Sequence, residues 1–220
     1  SCTPPVTSDT VILTVLQRPE ITVQPANAVV CEDGAILFTV NPGVTTNPAF
    51  IWMVDEGSGY DTITGGVYTG YNTATLNVTT TSSLMNGNLY KVIVSGTCTP
   101  EVTSSEVLLT IHEKPEIVVD PADTTVCEGD GAAFFIDAGV TTNPQFKWQV
   151  NTGAGWSDVS GAPYMGQASS SLLLTTTTSV MHGYRYRAIV SGTCTPADTS
   201  AEAALYIYEK PEVTVHPVDQ

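Results

Sequence analysis

Shifted by 96 residues, the chain falls into register with itself without a gap, and this internal period limits the fold more than any local motif does. Pro19-Glu20 falls on Pro115-Glu116 and again on Pro211-Glu212. Cys31 falls on Cys127, Trp52 on Trp148, Tyr90 on Tyr186 and Cys98 on Cys194. Gly43 to Pro48 (Gly-Val-Thr-Thr-Asn-Pro) recurs unchanged as Gly139 to Pro144, and Ser95 to Pro100 as Ser191 to Pro196. About 45 of the 96 aligned positions are identical. Two whole repeats are therefore expected, over 18–112 and 113–208. Residues 1–17 align with the last strand of a repeat and 209–220 with the first, so the chain reads as a window on a longer array.

Each repeat is expected to be all-β. Short alternating runs of Val, Ile, Thr, Tyr and Phe stand between Gly, Pro and Asn, the pattern of strands and turns. Strands are predicted near 20–24, 35–41, 49–54, 60–64, 74–79, 88–95 and 103–111, and again 96 residues later. Seven short strands in about a hundred residues is the signature of an immunoglobulin-like sandwich. Trp52 and Trp148 fall on its third strand, where such folds bury a tryptophan. Tyr90 and Tyr186 fall where a tyrosine opens the sixth strand and bonds backbone upstream.

Five cysteines keep the same period. Cys31 and Cys98 are 67 residues apart, as are Cys127 and Cys194, so the simplest pairing is one disulfide within each repeat. Cys2 corresponds to Cys98 of a preceding repeat and takes its partner from outside the chain. Disulfides place the protein in an oxidising compartment, extracellular or on the cell surface. There is no Cys-x-x-Cys spacing and no paired histidine for a zinc site.

The charge balance narrows the function. With 22 acidic residues against 7 basic ones, net charge −15, the chain has no basic patch for nucleic acid. No apolar run reaches the roughly 18 residues of a membrane helix. His112, His182 and His216 lie far apart, and no nucleophile elbow, phosphate loop or zinc motif occurs. Asp55, Glu56 and Asp61 cluster around Gly57-Ser58-Gly59, but their counterparts are Asn151, Thr152 and Ser157. A catalytic carboxylate pair would not be confined to one copy of a structural repeat, so a solvated hairpin is expected and the chain is read as not an enzyme. Calcium is weighed at the junction on Glu113, Glu116, Asp120 and Asp123. No calcium-binding signature accompanies them, so no cofactor and no metal are expected, with linker calcium as the less favoured alternative. The junction Ile111-His-Glu-Lys-Pro115 is short and holds a proline, which makes it stiff, as a spacer requires.

With these residues in hand, the chain resembles the immunoglobulin-like tandem repeats of large surface and secreted proteins of Bacteroidota. The resemblance is carried by a cysteine before the second strand, Trp148-Gln-Val, the hairpin Gly153-Ala-Gly-Trp156, the Tyr-x-Tyr that follows Gly183, and Val190-Ser-Gly-Thr-Cys194. It implies an adhesin, a gliding-related protein or a spacer, exported by type IX secretion. It also implies O-glycans at Asp-Thr motifs, which places candidate acceptors at Thr10, Thr62 and Thr124. A non-catalytic stalk, spacer or filament segment is the leading expectation, its partners being neighbouring repeats and further copies of itself. The alternative is a module that binds glycans or protein through sandwich-end loops and exposed aromatics, namely Tyr60 with its equivalent Trp156, and Tyr68 with its equivalent Tyr164. A third reading is an accessory region of an enzyme.

Overall fold

A computed structural model describes residues 4–213, which divide between Ile111 and His112 into two compact units. In the first, the strands are β1 (Ala28–Cys31), β2 (Ile36–Thr39), β3 (Ala49–Asp55), β4 (Tyr60–Thr62), β5 (Tyr68–Thr69), β6 (Thr75–Val78), β7 (Leu89–Ser95), β8 (Val102–Thr103) and β9 (Val107–His112). One sheet runs β1-β9-β7-β3-β4 with β8 also on β7, and the other runs β2-β6-β5. The second unit repeats this with β10 (Thr124–Cys127), β11 (Ala132–Phe135), β12 (Gln145–Asn151), β13 (Trp156–Asp158), β14 (Tyr164–Met165), β15 (Ser171–Leu174), β16 (Arg185–Ser191), β17 (Asp198–Thr199) and β18 (Ala203–Tyr208). Its sheets are β10-β18-β16-β12-β13 and β11-β15-β14. Each unit is thus an all-β sandwich of immunoglobulin type, as the period and strand count predict.

Alternation along the long strands builds the core. In β7, Tyr90, Val92 and Val94 point inward and are fully buried, while Lys91 and Ile93 between them are half-buried. The centre of the first unit is aromatic. Phe38 stacks on Tyr90 at 4.8 Å between ring centroids, and Trp52 lies 6.5 Å from Phe38. The second unit repeats the arrangement with Phe134, Tyr186 and Trp148 at 4.6 and 6.5 Å. Each buried indole needs a partner for its N–H. Trp52 donates Nε1–H to the Thr73 carbonyl and Trp148 to the Ser169 carbonyl, both at 2.9 Å.

Three expectations are corrected. The first strand does not lie at 20–24: only the isolated bridge Val23–Asn41 forms there. Pro25 cannot donate to a ladder, and regular pairing resumes beyond it, at β1. The strand predicted over 103–111 is two strands, parted at Ser104, whose hydroxyl accepts from Val92 N–H at 3.0 Å. The tyrosine of the sixth strand is also used differently: the Tyr90 hydroxyl meets that of Tyr68 at 3.2 Å, and the Tyr186 hydroxyl that of Tyr164 at 3.3 Å.

The flanking segments carry no strand where they are described. Val11, Leu13 and Val15, whose counterparts Val107, Leu109 and Ile111 are buried, are 90, 87 and 68 % exposed. Of the strand expected at 209–220, residues 209–213 are non-regular, and 214–220, with His216, lie outside the described residues, as does Cys2.

Candidate functional site

The aromatics with the most to offer a ligand sit at the β3–β4 and β12–β13 hairpins. Gly57 and Gly59 have φ of +101° and +109°, a region open chiefly to glycine, which fixes this tight turn. The Asp55 carboxylate closes it by accepting from Gly57 N–H at 2.8 Å and Gly59 N–H at 2.9 Å. These two bonds, that from Gly59 first, hold its carboxyl below the ordinary value of 3.8. In the second repeat the Asn151 amide oxygen accepts from Gly153 and Gly155 at 2.9 and 3.2 Å. The acidic cluster of the first hairpin thus contains a turn anchor that a neutral amide replaces.

The hairpin delivers Tyr60 and Trp156 to the sheet, where each lies half-buried under a cation. Lys91 Nζ stands 3.4 Å over the centre of the Tyr60 ring, and the Arg187 guanidinium 4.2 Å over Trp156. Arg187 is held in place by Gln149 Oε1, which accepts from Nε at 3.0 Å and Nη2 at 2.8 Å. Burial, reinforced by the nearby Glu106 carboxylate, pushes the Tyr60 hydroxyl up to about 12. One face of each ring is therefore taken by its own sheet, so these are not the open stacking platforms that the sequence suggests. Tyr68 and Tyr164 are half-buried as well, packed edge-on against Tyr90 and Tyr186, with ring centroids 6.1 Å apart in both repeats. Burial raises the Tyr68 hydroxyl well above the phenol range. These two serve the core.

Two of the four junction acids, Asp120 and Asp123, have structural work of the same kind. Asp120 Oδ1 accepts from Ala201 N–H at 2.8 Å and Asp123 Oδ1 from Ala204 N–H at 2.7 Å, tying the stretch ahead of β10 to the last strand. Gln24 and Asn27 make the equivalent bonds to Ser105 and Leu108 with amide oxygens, at 2.8 and 2.9 Å. Among the described residues no group of three or more His, Cys, Asp or Glu is placed to hold a metal ion. His182 Nδ1 accepts from Ile207 N–H at 3.1 Å, where Asn86 Oδ1 receives Ile111 N–H at 2.9 Å.

The three candidate glycan acceptors differ. Thr10 and Thr62 are exposed. Thr124 is half-buried, its hydroxyl directed to the Ala133 carbonyl at 3.1 Å and the Ala122 carbonyl at 3.4 Å, so it is already engaged.

The cysteines depart most from expectation. Cys31 and Cys194 are disulfide-bonded, whereas Cys98 and Cys127 are free thiols, so neither within-repeat pair forms. The reason lies in the sheet. β10 runs parallel to β18, with Cys127 opposite Tyr208 at the end of β18. β16 runs antiparallel to β18, with Arg185 opposite Ala204, so it carries the chain toward the other pole. Cys194 lies three residues past the end of β16, its sulfur 3.4 Å from the His112 carbonyl oxygen. From the level of Tyr208 to that of Ser191 is ten residues of strand, about 30 Å, whereas bridged Cα atoms lie within about 7 Å. The 67-residue spacing hides this, because a strand added in parallel puts its last residue at the pole opposite to the one its sequence order suggests.

Another feature escaped the sequence reading. The outer face of the small sheet carries Phe135, Met165 and Leu173, 54, 56 and 45 % exposed, where the first repeat has Thr39, Thr69 and Asn77. Together with Thr124, Val126 and Ala133, Met165 and Leu173 line an open apolar groove. The signal was available in the 96-residue alignment as one polar-to-apolar exchange on each of the three strands of that sheet.

No family model matches the chain. A stretch of 105 residues, 48 % of the chain, is 31 % identical to Endoglucanase C of Cellulomonas fimi, but it spans only 9 % of that protein's length. Among solved structures, the I67–I69 fragment of the titin I-band is similar with TM-score 0.64 and 15 % identity, over 89 % of this chain and 67 % of that one. The two immunoglobulin domains of DIP-gamma are similar with TM-score 0.62 and 16 % identity, over 87 and 98 % of the respective chains. At such identity the likeness concerns the fold, which is immunoglobulin-like.

Proposed function

We propose that the chain is a non-catalytic structural segment, a stalk or spacer of a longer extracellular surface protein. One observation carries this reading: the chemistry both repeats retain is the chemistry that holds the sandwich. The retained residues are the Trp–Tyr–Phe core, the hairpin glycines, the Tyr–Tyr hydroxyl pair and the backbone-tying oxygens. Groups suited to recognition either differ between the copies or are spent internally, as Tyr60 and Trp156 are beneath Lys91 and Arg187. Two disulfide-bonded cysteines suit an extracellular setting, and the resemblance to Bacteroidota surface repeats suggests export by type IX secretion. The partners of such a segment are neighbouring repeats and further copies of the chain, not nucleic acid.

The test is a length-matched exchange within the parent protein. When residues 18–208 are replaced by two unrelated immunoglobulin-like domains, the parent should keep its binding or enzymatic activity, whereas deleting them should impair its reach. Loss of activity on the matched exchange would make these repeats a recognition surface and overturn the reading. A second reading, an accessory region of an enzyme, is favoured by the likeness to part of an endoglucanase. Under it the matched exchange would lower turnover on a polymeric substrate while leaving a small soluble substrate unaffected.

A further inference from the structure

The two cysteines of a repeat stand at opposite poles of its sandwich. In the second unit, Cys127 ends β10 beside the last residue of β18, the pole from which the chain departs. Cys194 lies against the His112 carbonyl, the pole at which the chain arrives. Cys31 occupies the position of Cys127 in the first repeat. It is bonded although Cys98, the other cysteine of its own repeat, is free. Cys194 occupies the position of Cys98, and it is bonded although Cys127 is free. At neither kind of position, then, is the bond made to the other cysteine of the same repeat.

We propose that the free thiols of Cys98 and Cys127 are sites of covalent coupling to further repeats. Cys127 bonds the arrival-pole cysteine of a repeat that follows, and Cys98 the departure-pole cysteine of one that precedes. The inference rests on reading the chain as part of a longer tandem array. Cys127 is exposed and Cys98 half-exposed, so both are accessible to exchange. A protein disulfide is the oxidant. The thiolate of Cys127 attacks one of its sulfurs to give a mixed disulfide, which the thiolate of the neighbouring repeat then resolves. The two thiols lose two protons and two electrons, and the oxidant leaves as a dithiol. The array is thereby linked repeat to repeat by covalent bonds additional to the backbone.

The test is alkylation under native, non-reducing conditions, followed by digestion and mass spectrometry, on the 220-residue chain and on the intact parent protein. In the chain alone, Cys98 and Cys127 should be alkylated and Cys31 and Cys194 protected. In the parent, alkylation at Cys98 and Cys127 should disappear, and each should be recovered linked to a peptide from outside residues 1–220. The Cys127→Ser variant of the parent should expose one new thiol, in the repeat that follows. Links between Cys127 and Cys194 or between Cys31 and Cys98, or alkylation of Cys98 and Cys127 in a parent that has repeats on both sides, would overturn the proposal alone. A parent with no flanking repeats would remove the array reading and the proposal together.

Discussion

At the hairpin of the first repeat a carboxylate and at that of the second an amide oxygen do one job, and this substitution sets what single changes should do. Asp55→Asn should leave the fold intact, because Asn151 already holds the equivalent turn, whereas Asp55→Ala should loosen it. The folded-state pKa of Asp55 is lowered beneath its unfolded value of 3.8. Its contribution to stability is therefore fully present above that value and is lost as pH falls through the folded one. A carboxyl titration followed by NMR should give a midpoint under 3.8, and a midpoint at or above it would remove the anchor role. In the core, Trp148→Ala removes a buried indole together with its bond to Ser169, and should cost about 3–5 kcal/mol in denaturant titrations. Tyr164→Phe deletes only the hydroxyl shared with Tyr186 and should cost about 1 kcal/mol. Trp148 and Tyr186 were legible as core residues from the sequence, because large aromatics at a fixed period on alternating strands have few other uses. The cations over Tyr60 and Trp156 were not: Lys91 and Arg187 come from a strand thirty-one residues further along the chain, and only the sheet register brings them over the rings.

Strands illustrate the same limit at the next scale. The long ones, β3, β7, β12 and β16, follow from alternation, since every second residue is apolar and buried in or packed against the core. The first strand was misplaced because Ile21–Val23 carries the stronger β pattern, yet Pro25 breaks its pairing and Ala28–Cys31, with weaker propensity, takes the sheet edge. Parallel pairing of β10 with β18 could not be read either, as no local signal distinguishes it from antiparallel pairing. With it went the pairing of the cysteines, which depends on which pole each strand end reaches. The side-chain ties make this edge testable. Asp123→Ala removes the acceptor for Ala204 N–H and should raise hydrogen exchange along β18, whereas Asp123→Asn, which copies Asn27, should not. Equal exchange in both variants would show that β10 is held by its ladder alone.

For the whole molecule, two compact units with separate aromatic cores predict that each folds by itself. Residues 112–208 expressed alone should unfold in one cooperative transition in urea, and a broad, non-cooperative melt would contradict the independence of the cores. With a net charge of −15, both should be stabilised by salt, Tm rising between about 10 and 150 mM NaCl as self-repulsion is screened. The parallel edge ladder has a mechanical meaning. The chain arrives at Thr124, opposite Leu205, and departs past Tyr208, opposite Cys127, so its two ends leave the paired strands at opposite poles. Tension applied through those ends loads the rungs of this ladder together, in shear, instead of peeling them one after another from a free end. A repeat tied in this way yields only when several hydrogen bonds fail at once, and the strand pair that closes the edge of the sheet is then also its clamp against pulling.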